Sequence, residues 1–183
     1  MKDLAVFDLD GTLIPSDSFD TLVRAHVLRL PALFAYAVAR KTALMSHAGF
    51  AEAAHRCLSP ALAETEFLTG FVDQTAAAVI AERLAAVGIW RRKGAATLLL
   101  SASPHDYVAP LGARLGFDFA VGSSWQRGTY RHLHGQSKLA YIERAFPASE
   151  WRRAFAMADS PSDEPLLAAF TEVERVGALA RLP

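Results

Sequence analysis

Short, mostly apolar runs recur along this chain, each followed by a segment of helical period. Leu4-Ala-Val-Phe7, Thr97-Leu-Leu-Leu-Ser101 and Ala154–Ala158 are too short for helices and show no alternation of apolar and polar residues. Such runs suit strands buried on both faces, as in a parallel sheet covered by helices. Phe117–Val121 and Val173–Val176 are further strand candidates, and Trp125–Leu133 reads as a short hairpin about Gly128. Strand, helix, strand, helix, strand is the rhythm of an α/β fold with a parallel sheet.

That rhythm breaks directly after the first strand. From Asp17 to Val87 the apolar residues fall at helical spacing. Phe19, Leu22, Val23, His26 and Leu30 share one face. Pro31 opens a second segment with Leu33, Phe34, Ala37 and Val38 on one side. Val72, Ala76, Val79, Ile80, Leu84 and Val87 form another stripe, for which Gly88 is the expected stop. Leu30–Ala39 is about half the roughly 20 residues a membrane-spanning helix needs, and it reads as a buried or partly buried helix. The predicted division is a core of residues 1–15 and 91–183, with a helical insertion over 16–90.

Composition narrows the partners. With 183 residues, 52% hydrophobic and 21% charged, the chain can bury a sizeable core and reads as soluble and globular. Lys plus Arg is 19 and Asp plus Glu is 19, so the basic footprint of a phosphate-backbone binder is missing and no nucleic-acid partner is expected. The single cysteine, Cys57, excludes an intramolecular disulfide framework and a multi-cysteine zinc site. Together with the lack of a visible signal peptide, it points to a reducing, cytoplasmic location.

The chemistry collects at strand ends. Asp8 and Asp10 follow the first strand and precede Gly11 and Thr12. Residues two apart at a strand end can project to one side, and ligands of open parallel sheets gather at the carboxyl ends of the strands. Met157-Ala-Asp159-Ser-Pro-Ser-Asp163 repeats the pattern after another strand. Carboxylates from two strand ends suit magnesium, a hard cation that prefers oxygen ligands and keeps several waters. Ser101 closes a strand before a helix start signalled by Ser103-Pro-His-Asp106, where free N–H groups favour a phosphate. Lys138 sits in the first turn of a helix, opposing the helix dipole. Each feature also has a structural reading: helix capping for the acids, a solvated surface position for the lysine.

Taken in order, Phe7-Asp-Leu-Asp-Gly-Thr12, Leu100-Ser-Ala-Ser103, Lys138 and Asp159-Ser-Pro-Ser-Asp163 resemble the four signature segments of the haloacid dehalogenase superfamily, in its phosphoserine-phosphatase-like branch. The resemblance implies a Rossmann-like, three-layer core with a helical cap inserted after the first strand. It implies a magnesium-dependent phosphatase in which Asp8 is the nucleophile and forms an aspartyl-phosphate, and Asp10 donates a proton to the leaving group and then helps deprotonate water. Ser101 would bond the transferring phosphoryl group, and Lys138 would balance its charge. Thr12, Asp17 and Ala102 would make up the substrate-binding side, Thr12 by steadying the loop around Asp10. Magnesium would be held by Asp8, the main-chain carbonyl of Asp10 and Asp159, with Asp163 supporting it directly or from the outer shell. Asp17 serves equally well as a helix N-cap. Ala158 stands where the family commonly has glycine, and its small side chain still permits a close approach.

Asp17 with Phe19, Leu30-Pro31, Gln126-Arg-Gly128 and Asp163-Glu-Pro-Leu-Leu167 also resemble the bacterial phosphatidylglycerophosphatase C group. The implied substrate is thus a phosphorylated small molecule or a lipid headgroup. The implied location is cytoplasmic, with peripheral contact at the inner membrane surface open. Arg24, Arg29, Arg40, Lys41 and the run Trp90-Arg-Arg-Lys93 could serve that contact or be solvated. A dehalogenase is not expected, because Asp10 and Asp159 are both present. The alternative of another class is a catalytically silent binding or regulatory module, whose mark is loss of a motif residue. His132, His134 and His105 read as surface or hairpin residues, and Cys57 as packing.

Overall fold

The strand β1 (Lys2–Phe7) lies inside a six-stranded sheet in the computed structural model, which describes residues 1–177. Five helices separate it from β2 (Ala96–Pro104): α1 (Ser18–His26), α2 (Pro31–Lys41), α3 (His47–Leu62), α4 (Thr65–Ala77) and α5 (Ala81–Arg92). Next come α6 (His105–Arg114), β3 (Phe119–Gln126), β4 (Thr129–Arg131), α7 (Gln136–Ala145) and β5 (Trp151–Ala158). A 3-10 turn over Pro161–Asp163, α8 (Glu164–Leu167) and β6 (Glu172–Arg175) complete the order. The spatial order is β4-β3-β2-β1-β5-β6, all neighbours parallel except the β3–β4 hairpin. The fold is therefore α/β with a mostly parallel sheet. Residues 178–183 of the expected core range lie outside the described residues.

Alternation along the strands builds two cores. Leu4 and Val6 join Leu98, Leu100, Ala156 and Ala158 against Ile142 of α7 and Leu166 and Leu167 of α8. Ala5 and Phe7 join Leu99, Phe155 and Met157 on the opposite face, against Val87 and Trp90 of α5 and Tyr107 and Leu111 of α6. Every residue from Leu4 to Phe7 is buried on one face or the other. At about 1.5–3 kcal/mol for each large apolar side chain withdrawn from water, β1 anchors both layers. The strand order reverses beside it, with β2 on one side and β5 on the other. At such a switch point the strand ends leave a crevice for a ligand.

Several local expectations change. The stripe from Val72 to Val87 is divided between α4 and α5, and Gly88 lies inside α5 rather than ending it. Burial outweighs the roughly 1 kcal/mol that glycine costs a helix: Trp90 is buried and stacks on Phe155 at 5.0 Å. Residue 90, the expected end of the insertion, thus falls within a helix packed on the sheet. The segment over Leu30–Ala39 forms α2, but only Leu33 is buried, while Phe34 and Val38 are 50% and 45% exposed. No helix of the described residues is long and apolar enough to cross a membrane. Ser103 is not an N-cap: β2 continues through Pro104, which caps α6 without a side-chain bond. After Asp163, where the apolar residues to Phe170 predict a longer helix, the chain makes one helical turn, ending at Leu167. The hairpin forms about Arg127 and Gly128, both at positive φ, between the paired residues Gln126 and Thr129.

Candidate active site

Burial and charge make the adjoining ends of β1 and β5 a costly place to put four acids, and the structure compensates each differently. Asp8 is buried. Its Oδ1 accepts a 2.8 Å hydrogen bond from Lys138 Nζ, and its Oδ2 accepts one from Thr12 Oγ1 at 3.2 Å. Lys138 Nζ also donates to Asp163 Oδ2 at 2.8 Å. Lys138 is itself buried, at the first turn of α7. The structure thus brings the four sequence segments to one place. It also gives Asp163 a definite task, holding the lysine that holds Asp8.

Burial on its own would drive the Lys138 ammonium to lose its proton. The charges of Asp8 and Asp163 more than offset this, and the net effect is a raised pKa. One ammonium cannot neutralise two carboxylates. Asp163 is accordingly raised, burial and the charge of Asp8 outweighing Lys138, and its Oδ1 is buried without a partner. Asp159 is raised as well, first by burial and then by the charge of Asp8.

Asp10 lies in a different environment. Its Oδ1 accepts from the backbone N–H of Ser18 at 2.6 Å, and its Oδ2 accepts from Ser103 Oγ at 2.7 Å and Ser101 Oγ at 3.2 Å. Burial, then the charge of Asp17, pushes its pKa up to about 6, against the opposing donors Ser103 and Ser18. Ser18 Oγ lies 2.9 Å from the hydroxyl of the fully buried Tyr107, so the first residue of α1 ties the helical insertion to the acid.

The other expected residues fall as follows. Thr12 is fully buried; besides Asp8, it donates to Asp159 Oδ1 at 3.4 Å. Ser101 is also fully buried, with its hydroxyl turned onto Asp10 and not among the cavity-lining groups, whereas Ala102 and Ser103 do line the cavity. Asp17 does both things the sequence allowed: it caps α1 by accepting from Asp20 N at 2.7 Å, and it lines the cavity. Gly11 must be glycine, since its φ is +72° and a Cβ there would meet Asp159 Oδ2 at 2.1 Å. The cavity is about 590 Å³ and is lined by Asp8, Asp10, Asp159 and Lys138 and by Phe19, Val23, Phe50 and Ala51 from the inserted helices.

Some members were not foreseen. Ser103 follows Ser101 by two in β2, so both hydroxyls share a strand face; the period alone could have found it. Arg83 of α5 donates to the carbonyls of Gly11 (2.9 Å) and Thr12, holding the loop after β1. Nothing in the letters near Arg83 signals that contact. Ser103→Ala is expected to lower kcat about tenfold, with thermal stability nearly kept, as one charge-assisted hydrogen bond to Asp10 is lost. Steady-state kinetics beside a melting curve checks this.

The donor set suits magnesium. No three His, Cys, Asp or Glu side chains among the described residues are grouped to hold a metal ion by themselves. Magnesium does not require such a cage, because it keeps several waters and binds through one or two carboxylates. Asp8 and Asp159 share the Thr12 hydroxyl and repel one another, and the single buried ammonium is taken up by Asp8 and Asp163. A divalent cation would relieve that imbalance, with the Asp10 carbonyl as a neutral oxygen donor.

A family profile described as haloacid dehalogenase-like hydrolase matches residues 5–168. Among curated proteins, the chain is 34% identical over 132 residues to the protein CicA of Caulobacter vibrioides, a match covering 66% of this chain and 58% of that protein. The match therefore spans less than two thirds of that relative. Among solved structures, it is similar to a protein of unknown function from Bordetella pertussis Tohama I, with a TM-score of 0.69, 20% identity and coverage of 94% and 89% of the two chains. A phosphoserine phosphatase solved as a phospho-aspartyl intermediate analogue gives a TM-score of 0.56 at 15% identity, covering 96% and 95%. At these identities the structural likeness speaks for the fold.

Proposed function

Since the chain belongs to the haloacid dehalogenase-like hydrolase family, we propose that it is a magnesium-dependent phosphatase that cleaves a phosphomonoester through an aspartyl-phosphate on Asp8. The observation that carries this reading is the Lys138 ammonium held at 2.8 Å from both Asp8 and Asp163, beside an Asp10 that accepts from Ser18 N and Ser103 Oγ. The Asp8 carboxylate attacks phosphorus while Asp10 passes its proton to the departing oxygen. Water then attacks the phosphorus of the phosphoaspartate, with Asp10, now ionised, taking its proton, and the Asp8 O–P bond breaks to release inorganic phosphate and restore the Asp8 carboxylate. Lys138 offsets the negative charge that gathers between Asp8 and the phosphoryl oxygens. Asp8, Asp159 and the Asp10 carbonyl would hold magnesium, which when bound supplies positive charge against that same build-up. Helices α1–α4 act as the cap over the cavity, selecting the leaving group.

Removal of magnesium with a chelator is expected to abolish phosphate release, and its return to restore it. A colorimetric phosphate assay over a panel of soluble esters tests this. The panel should include a detergent-dispersed lipid phosphate. The exposed Phe34 and Val38 of α2, near Arg40, favour lipid contact as a second reading, and a clear preference for soluble esters would end it. Absence of release from every ester, with magnesium present, would leave a silent binding module.

A further inference from the structure

Three imidazoles meet at the wall of the cavity, from parts of the chain that are far apart in sequence. His47 opens α3 of the inserted helices, whereas His132 and His134 follow β4 at the sheet edge. Their ring centroids are 5.5 Å (His47–His132), 5.2 Å (His47–His134) and 5.4 Å (His132–His134) apart. All three line the cavity that holds Asp8, Asp10 and Lys138, and so does Arg40.

We propose that His47, His132, His134 and Arg40 form a subsite for a second oxyanion, a carboxylate or another phosphate, carried on the leaving group of the phosphate ester. This rests on the phosphatase reading of the neighbouring acids. The first support is unused hydrogen-bonding capacity. His26, His55 and His105 each engage a protein partner through a ring nitrogen, as His55 does with Asp106 at 2.9 Å. No ring nitrogen of His47, His132 or His134 engages a protein hydrogen-bond partner among the described residues. Arg40 has no carboxylate partner among the described residues either.

The second support is the division of charge along the cavity. At the reacting end, the Lys138 cation is taken up by Asp8 and Asp163. It has none left for a second anion. A leaving group held in this cavity has Arg40 and the imidazoles as well as the apolar Phe19, Val23 and Phe50 among its lining residues. That pairing suits a short carbon chain ending in an oxyanion. Burial, then the neighbouring imidazole His134, lowers the pKa of His47 and that of His132, the latter to about 4. Those two imidazoles therefore stay largely neutral until an anion arrives to favour protonation. A metal is the weaker occupant: the rings of His132 and His134 stack nearly parallel, at 17°, and no metal-holding group of three is found among the described residues.

Ethyl phosphate, phosphoglycolate and ethylene glycol bisphosphate share a two-carbon leaving group and differ only in its end. With magnesium present, kcat/KM for phosphoglycolate or for the bisphosphate should exceed that for ethyl phosphate by about tenfold or more, the worth of a charged hydrogen bond. Whichever of the two is preferred identifies the oxyanion. That preference should collapse towards unity in His134→Asn and in Arg40→Gln. The exposed Arg40 guards against a folding failure at His134. An unchanged preference in both variants would overturn the subsite, as would equal rates for all three esters in the unaltered protein. Imidazole proton resonances in Asp8→Asn protein, titrated with phosphoglycolate against ethyl phosphate, give a readout without turnover. Selective shifts by phosphoglycolate would uphold the subsite even if no ester were hydrolysed, a result that would sink the phosphatase reading alone; shifts no larger than those with ethyl phosphate would count against a carboxylate subsite.

Discussion

Asp8→Asn protein is expected to fold and to release no phosphate, with turnover reduced on the order of 10⁴-fold or more against any ester that the unaltered enzyme accepts. The amide keeps the shape of the carboxylate and one oxygen for Lys138 Nζ, now 2.8 Å from Asp8 Oδ1. It cannot supply the anionic oxygen that would bond to phosphorus. The structural cost should be small, because removing one of two carboxylates from a single buried ammonium still leaves Asp163 as its partner at 2.8 Å. A phosphate-release assay paired with thermal denaturation checks both halves. Full turnover by a well-folded Asp8→Asn protein would remove Asp8 from the nucleophile's role.

Lys138→Met should be harmful in both respects. Turnover is expected to fall about 10³-fold, since charge building between Asp8 and the phosphoryl oxygens loses its fixed counter-charge. Stability should fall by about 3–5 kcal/mol at neutral pH, as in other cases where one partner of a buried ion pair is removed. The methionine fills much of the volume, so the loss comes from charge: Asp8 and Asp163 remain buried and face one another unneutralised. The pH dependence has a definite sign. Asp163 is already raised by burial and the charge of Asp8, and loss of Lys138 raises it further. A carboxyl whose folded pKa lies above its unfolded value destabilises the fold when ionised. The deficit should therefore be full at neutral pH and shrink as pH falls through the folded pKa of Asp163. Melting curves of both proteins across that range test this; a deficit independent of pH would mean that lost packing, not charge, sets it.

Part of this site was legible before any coordinates. Asp8, Asp10, Asp159 and Asp163 follow apolar runs that can only be buried strands, and a parallel sheet sends the ends of such strands to one edge. Lys138, at odds with the helix dipole, could be singled out for the same reason that makes it costly. Tyr107 and Arg83 were not legible in the same way. Their roles depend on the direction of a hydroxyl or guanidinium across a packed interface, and spacing along one element does not encode that. The same holds for Gly88, which has a stop signal locally and is overridden because Val87 and Trp90 are buried on the sheet. His132 and His134 look like hairpin residues until α3 brings His47 within 5.5 Å of both.

By itself, then, the order of residues determined the layered α/β sheet and the acidic edge, because burial of short apolar runs is a local and additive demand. Only the tertiary structure decided how one lysine is divided between two aspartates, which hydroxyls hold the acid at residue 10, and what lines the outer cavity. Those outcomes depend on distances of a few ångströms between groups scores of residues apart, and electrostatic and hydrogen-bond energies change steeply over just such distances.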